Sequence, residues 1–334
     1  MSADIDPVEN IPVAARPLST GKHHISPSEF QQWSRCTWAH KRAQVDRVDK
    51  YRPSPTPTFG TAVHEAQESF LKTRVMDVSI AHVAIDRLWD RCGFKDPQWP
   101  LANGMEGPAQ DPLQVFLAAQ GMTLEEAIRA FDFGPKSRKA AHADADLILP
   151  EVPAFMDATF QNWHVVAAEM QLYEPIGDTA VHLKGFIDGV LVATGKRGEI
   201  LVWIIDWKTS AWGWRQEKKQ DPIVQSQLAL YKRYWMQKCM PDTLKPANVR
   251  CGFVLLKRSA KPGMHCELVP VSVGDVSIQR VDRQVLNMIA SVRHGIAVKN
   301  RGSCTYCDYN KECSGTWADH QGKLHQVSAL RRNV

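Results

Sequence analysis

An α/β fold, with strands gathered into a sheet and helices packed around it, is predicted by three features of this sequence. Segments dense in β-branched and aromatic residues run from about 163 to 208 and again from about 249 to 273. Segments with apolar residues at helical spacing come before, between and after them. At 334 residues and 44% hydrophobic content, the chain carries enough apolar material for a substantial core.

Residues 1–20 are Pro-rich and unpatterned and read as a flexible N-terminal arm. Ser26, Pro27 and Glu29 supply an N-cap, a first-turn proline and a capping-box acid, so a helix starts there, with Phe30, Trp33 and Thr37 as its apolar stripe. A second helix follows Phe59-Gly60-Thr61, with Val63, Ala66 and Phe70 recurring at helical spacing and His64 and Glu65 in its first turns. From about 95 to 150 the pattern weakens into a helical and loop insertion, with a capping box at Thr123 to Glu126. Three strands are then expected over Trp163–Tyr173, Leu183–Val192 and Ile200–Lys208. A long helix, about Gln220 to Lys238, carries Val224, Leu228, Tyr231 and Trp235 as its core stripe. Strands over Val249–Lys257 and His265–Val273 precede a last helix from about Val276 to Lys299. Residues 316–334 form a basic tail containing Arg331 and Arg332, and there is no internal repeat.

Composition excludes more than it selects. No run of about eighteen apolar residues occurs, and the N-terminus lacks the basic-then-apolar order of an export signal, so a cytoplasmic protein with no membrane partner is expected. The net charge of +5 supports nucleic-acid binding only weakly. No G-x-x-x-x-G-K-[ST] loop is present, which excludes a helicase motor of the usual kind. Eight cysteines in such a chain point to metal ligation or ordinary burial rather than disulfides. Cys92, Cys239, Cys251 and Cys266 stand alone and read as small buried hydrophobes.

The chemistry lies in Lys184-Gly185-Phe186-Ile187-Asp188-Gly189-Val190 and Ile204-Ile205-Asp206-Trp207-Lys208-Thr209-Ser210, joined through the turn-like 194–198. If the hairpin is symmetric about Arg197, Asp188 (197 − 9) and Asp206 (197 + 9) lie opposite each other. Strand alternation puts Ile204, Asp206 and Lys208 on one face and Ile205 and Trp207 on the other. Two opposed carboxylates in a half-buried sheet repel unless neutralised. A divalent cation with hard-oxygen preference, such as Mg²⁺, is the natural neutraliser, and Lys208 beside it can hold an attacking water. That is the equipment for phosphodiester hydrolysis; the bland alternative is a buried structural ion pair.

In these residues the sequence resembles the RecB-like branch of the PD-(D/E)XK nucleases. Gly185-Phe186-Ile187-Asp188-Gly189 and Asp206-Trp207-Lys208-Thr209 match the GxxD and (D/E)xK motifs. Gly60-Thr61-Ala62-Val63-His64-Glu65 matches the upstream helix motif, and Gln227-Leu228-Ala229-Leu230-Tyr231 the QxxxY motif. The resemblance runs from about Ser26 to Cys313 apart from 95–150, which implies a nuclease domain over 21–315 with a central mixed β-sheet flanked by helices. It implies His64, Asp188 and Asp206 as side-chain ligands of Mg²⁺ or Mn²⁺, with the Trp207 backbone carbonyl as a further ligand. Lys208 becomes the catalytic lysine, and Gln227 and Tyr231 position DNA. Glu169, on the preceding strand, is either a metal-approaching acid or a solvated one.

Cys304, Cys307 and Cys313 form C-x2-C-x5-C after the last helix, and Cys36 supplies a fourth thiol if the chain's two ends meet. This pattern is similar to the iron–sulfur signature of AddB-type nucleases, exonuclease V and the CRISPR-adaptation nucleases. It implies a 4Fe-4S cluster in segment 300–315 that joins the N- and C-terminal regions, with zinc as the alternative occupant. The expected function is a DNA exonuclease acting on ends or single strands in recombination, repair or CRISPR adaptation. A phage-encoded enzyme with protein partners from one of those processes fits. A catalytically idle DNA-end-binding subunit and an RNA-processing nuclease are the competing readings. The loop Trp212-Gly213-Trp214-Arg215 with Lys218 and Lys219 mixes aromatics and cations in a manner that suits single strands or, equally, core packing.

Overall fold

The structure is a computed structural model that describes residues 18–48, 54–93, 138–305 and 307–315. Most of the expected insertion and all of the tail at 316–334 lie outside these residues, as do residues 1–17 of the expected arm. Residues 18–20, assigned to that arm from sequence, belong with the fold: Leu18 and Thr20 are buried, and the Ser19 hydroxyl donates to the Val292 carbonyl.

Helix α1 (Pro27–Arg35) starts as expected, its Ser26 side chain accepting from the Glu29 amide at 3.1 Å. Glu29 does not close a capping box. Its carboxylate bonds His40 on the short helix α2 (Thr37–His40) and the Lys22 ammonium, tying α1 to its neighbours. Helix α3 (Pro55–Thr73) starts earlier than the sequence pattern indicated, because Pro55 and Pro57 fit an unpaired first turn. His64 therefore sits in its middle, a correction to the first-turn placement. Gly60 is tolerated inside the helix because α3 runs close to the sheet there: a β-carbon at this position would lie 3.1 Å from Thr209 Oγ1. Helix α4 (Val78–Cys92) packs beside α3 and α5 (Arg138–Ile148) against α4, followed by α6 (Val152–Thr159).

The sheet is mixed, in the order β1 (His24–Ile25), β3 (His182–Thr194), β4 (Ile200–Ser210), β5 (Val249–Lys257), β6 (Cys266–Val271), with β2 (His164–Pro175) also paired to β3. β1–β3 and β4–β5 are parallel; β2–β3, β3–β4 and β5–β6 are antiparallel. Between β4 and β5 the chain forms α7 (Gln216–Gln220) and α8 (Pro222–Cys239), the latter capped by Asp221. Helix α9 (Asp275–Arg293) ends six residues before the expected Lys299, where Gly295 turns left-handed at φ +66°. A final short helix, α10, covers Asn310–Gly315.

Both faces of the sheet are covered, so two cores form. On one, Leu228, Tyr231 and Trp235 of α8 meet Ile25, Phe30, Ile187, Ile204, Phe253 and the buried stripe of α9. On the other, Phe59, Phe70, Trp89 and Ile148 of the α3–α5 layer meet Leu191, Ile205, Trp207 and Val254. Ile204 and Ile205 thus point to opposite cores, as the strand alternation required. Among the described residues, no helix is long and apolar enough to cross a membrane.

Candidate active site

The β3–β4 ladder runs from Thr194↔Ile200 to Gly189↔Ile205, and every pair sums to 394, so its centre is residue 197. Asp188 and Asp206 are the next pair in that register, yet the ladder stops before them. Instead the Trp207 amide donates to Asp188 Oδ2 at 2.7 Å, a side chain replacing a backbone partner. Beyond this point the space beside β3 is taken by β1, Pro27 and Tyr231. The strands part where the carboxylates stand.

A third acid joins from the other side. On β2, Glu169 lies between the pairs Ala168↔Gly189 and Met170↔Ile187, which places it opposite Asp188. Its φ is +49°, a left-handed backbone that L-residues adopt only under constraint. Glu169, Asp188 and Asp206 therefore form one row across three adjacent strands. Asp188 is 8% exposed and Asp206 0%. Burial, reinforced by Asp206, pushes the Asp188 carboxyl well above the usual range. Burial, then Glu68 and Asp206, also raises Glu169.

Cations and dipoles face this row. Lys208 Nζ lies 2.5 Å from Asp206 Oδ2; although burial opposes its charge, Asp206 and Asp188 hold the ammonium above its ordinary pKa. From α3, His64 Nε2 donates to the Trp207 carbonyl at 3.1 Å, and its Nδ1 stands 3.7 Å from Asp188 Oδ2. Burial lowers the His64 pKa, which favours the neutral imidazole that a metal requires. Gln227 Nε2 donates to Asp206 Oδ1 at 2.7 Å and to the Tyr231 hydroxyl at 3.3 Å. A cavity of about 370 Å³ opens beside Gln227 and Tyr231, bounded also by His24, Ser26, Lys184 and Phe186.

The donor set fits a hard divalent cation. Ligand atoms of His64, Glu169 and Asp188 all lie within 4.8 Å of one another. Asp206, grouped with His64 and Asp188 from sequence, lies outside that trio, and its carboxylate is engaged by Lys208 and Gln227. The Lys208 ammonium lies on its buried Oδ2 and Gln227 donates to its Oδ1. The structure thus brings Glu169 closer to the ligand set than sequence did, and turns Gln227 toward Asp206.

The cysteines also converge. Asn300 and Ser303 side chains donate to the Arg35 carbonyl at 2.7 and 3.1 Å, the Trp38 amide donates to Val298, and the Tyr309 hydroxyl to Val48. These bonds join the end of α1 to the segment after α9. Cys36, Cys304, Cys307 and Cys313 line one small cavity there, none in a disulfide. Burial and the neighbouring thiols raise the Cys304 and Cys307 pKa values.

The sequence model of the PD-(D/E)XK nuclease superfamily matches residues 24–314, from β1 to the last helix. The chain belongs to the PD-(D/E)XK nuclease superfamily. PD-(D/E)XK nucleases use divalent metals, and the His64–Glu169–Asp188 cluster is the candidate site for one. No curated protein matches the chain. Among solved structures, a candidate exonuclease from Eubacterium rectale is 11% identical, with 87% of this chain and 88% of that one covered and a TM-score of 0.46. The protein designated SSO0001 is 13% identical, with 59% and 78% covered and a TM-score of 0.30.

Proposed function

We propose that this PD-(D/E)XK protein is a deoxyribonuclease of the RecB-like branch, an exonuclease acting on DNA ends or single strands with Mg²⁺ or Mn²⁺. The observation that carries the reading is the Glu169–Asp188–Asp206 row, faced by Lys208 and His64 at the point where β3 and β4 part. Carboxylates crowded together in a buried row are costly in a resting protein, as the raised pKa values of Asp188 and Glu169 reflect, and a cation-binding role accounts for them. His64, Glu169 and Asp188 would hold the ion, with Asp206 Oδ2 and the Trp207 carbonyl as further donors. When bound, it supplies neutralisation of the phosphate and a more acidic water. Lys208, kept protonated by Asp206 and Asp188, steadies the attacking water and the charge that grows on the phosphate oxygens. Gln227 orients the Asp206 carboxylate and Tyr231 backs Gln227, so both act on DNA through that carboxylate and through the cavity beside them.

Cys36, Cys304, Cys307 and Cys313 are assigned to a structural 4Fe-4S cluster, supported by their shared cavity and by the hydrogen bonds that bring the two ends of the chain together. Protein purified without oxygen should be brown and carry roughly four irons per chain, and Cys36→Ala should lose both colour and iron. One zinc per chain in colourless protein would overturn the cluster. The nuclease reading is tested by digesting end-labelled single-stranded DNA, duplex DNA and matched RNA with Mn²⁺. Stepwise shortening of DNA is expected. Faster cleavage of RNA, internal cuts alone, or binding without cleavage would each replace the exonuclease reading.

A further inference from the structure

Just past the catalytic strand the structure holds a tryptophan in water. Trp212 is 80% exposed, the one exposed tryptophan among the described residues. A slack loop would let the indole fold down onto the protein, but this loop is pinned. The amides of Arg258 and Ser259 donate to the carbonyls of Ser210 and Ala211, each at 2.9 Å. The Ser210 hydroxyl accepts from the Gly213 amide at 3.2 Å and donates to its carbonyl at 3.1 Å, while Gly213 takes φ +95°. A turn fixed this firmly holds its largest apolar side chain outward, where the ring face is open to a partner.

The segment that follows Trp212 is rich in cations, with Arg215, Lys218 and Lys219. Trp214 leans on Phe253 at 5.0 Å between centroids and carries the Lys218 ammonium 4.5 Å above its own ring. Gln31 of α1 donates to the Ile223 carbonyl at 3.0 Å, which sets α1 beside this segment, and burial, with the charges of Arg35 and Lys208, lowers the Lys218 pKa. Neither Arg35 nor Lys218 has a carboxylate partner among the described residues. Trp212 stands four residues beyond Lys208, at most about 14 Å along the chain.

Uncompensated cations beside a presented indole match one ligand chemistry: a phosphate next to an unpaired base. Within a duplex the base faces are covered by stacking, so a single ring on a tight turn has nothing to meet. We propose that Trp212 is a stacking platform for an unpaired base of the substrate strand and that Arg35 and Lys218 grip the adjoining phosphate, which makes the site selective for single-stranded nucleic acid. This rests on the nuclease reading above and names its substrate class. Arg35 immediately precedes Cys36, so the cysteine clasp also holds this phosphate grip in place.

The test is fluorescence-anisotropy binding in an Asp206→Asn background, using a labelled single-stranded oligonucleotide and a duplex closed by hairpins at both ends. Trp212→Ala should weaken single-strand binding on the order of ten-fold or more, with closed-duplex binding and melting temperature unchanged. Trp212→Phe should recover most of the loss, and Lys218→Gln should reduce the log–log salt slope by about 0.7. Unchanged single-strand affinity in Trp212→Ala, or an equal loss on the closed duplex, would overturn the proposal. Turnover of the otherwise wild-type enzyme is measured alongside. Cleavage of single strands together with an indifferent Trp212→Ala defeats this inference alone, whereas no cleavage of any nucleic acid defeats the nuclease reading beneath it.

Discussion

Asp188 is the residue on which opposing forces meet: it is buried and flanked by Glu169 and Asp206, and it is held by the Lys208 charge, the Trp207 amide and the more distant His64. Its folded pKa is raised above the unfolded value near 4, so its favourable contribution is present below that value and is lost as pH rises through the raised one. Without divalent ions, Asp188→Asn should therefore stabilise the protein by about 1 kcal/mol or more at pH 8, and the gain should vanish toward pH 4. Added Mn²⁺ should reverse the order, because the variant has lost a ligand. Calorimetric melting in chelator and in Mn²⁺ checks both; a variant that is less stable than wild type in chelator at pH 8 would contradict the account. Glu169 adds a backbone cost at φ +49°. Glu169→Gly should melt higher by the equivalent of roughly 1 kcal/mol while binding Mn²⁺ more weakly, and a lower melting point would show that the left-handed turn is not strained.

At the scale of elements, the site depends on close approaches between strands and helices. A β-carbon on Gly189 would lie 2.8 Å from Ile205 Cγ1 and 3.0 Å from Leu71 Cδ1, so Gly189→Ala should cost roughly 1–3 kcal/mol in urea unfolding. A neutral effect would mean that β3, β4 and α3 have more slack than their contacts imply. Helix α1 is anchored by Glu29, whose carboxylate sits below its ordinary pKa because the His40 and Lys22 contacts outweigh burial. A depressed acid stabilises above its unfolded pKa and loses that contribution as pH falls through the folded one. The stability gap between wild type and Glu29→Gln should hold at neutral pH and close below about pH 4.5, and a gap independent of pH would remove the ion pair from the explanation. Elements such as α1 and β5 were legible because capping residues and apolar alternation are local signals. The start of α3 and the end of α9 were misjudged, since one depends on prolines accepted into a first turn and the other on a left-handed glycine.

For the whole molecule, the two aspartates and the lysine were readable because a hairpin's register is arithmetic: a centre at residue 197 places Asp188 opposite Asp206 and sends Lys208 to the same face, whereas His64, Gln227 and Tyr231 came from the motif resemblance. For Glu169 the sequence left a metal-approaching and a solvated strand acid equally open, since the positive φ and the bulge between Val165 and Ala167 that bring it to Asp188 have no signature in residue type. The grip of Gln227 on Asp206 and the cation group around Lys218 depend on how α8, α7 and α1 pack over the sheet, which no periodicity encodes. These pieces converge on one claim, that Lys208 and the carboxylate row hydrolyse phosphodiesters. The most direct measurement is single-turnover cleavage of end-labelled DNA by Lys208→Ala at saturating Mn²⁺. The expected result is a rate at least about a hundred-fold below wild type with DNA affinity nearly unchanged, because the lysine acts on the transition state while binding is spread over many phosphates. Full turnover by Lys208→Ala under those conditions would contradict the assignment.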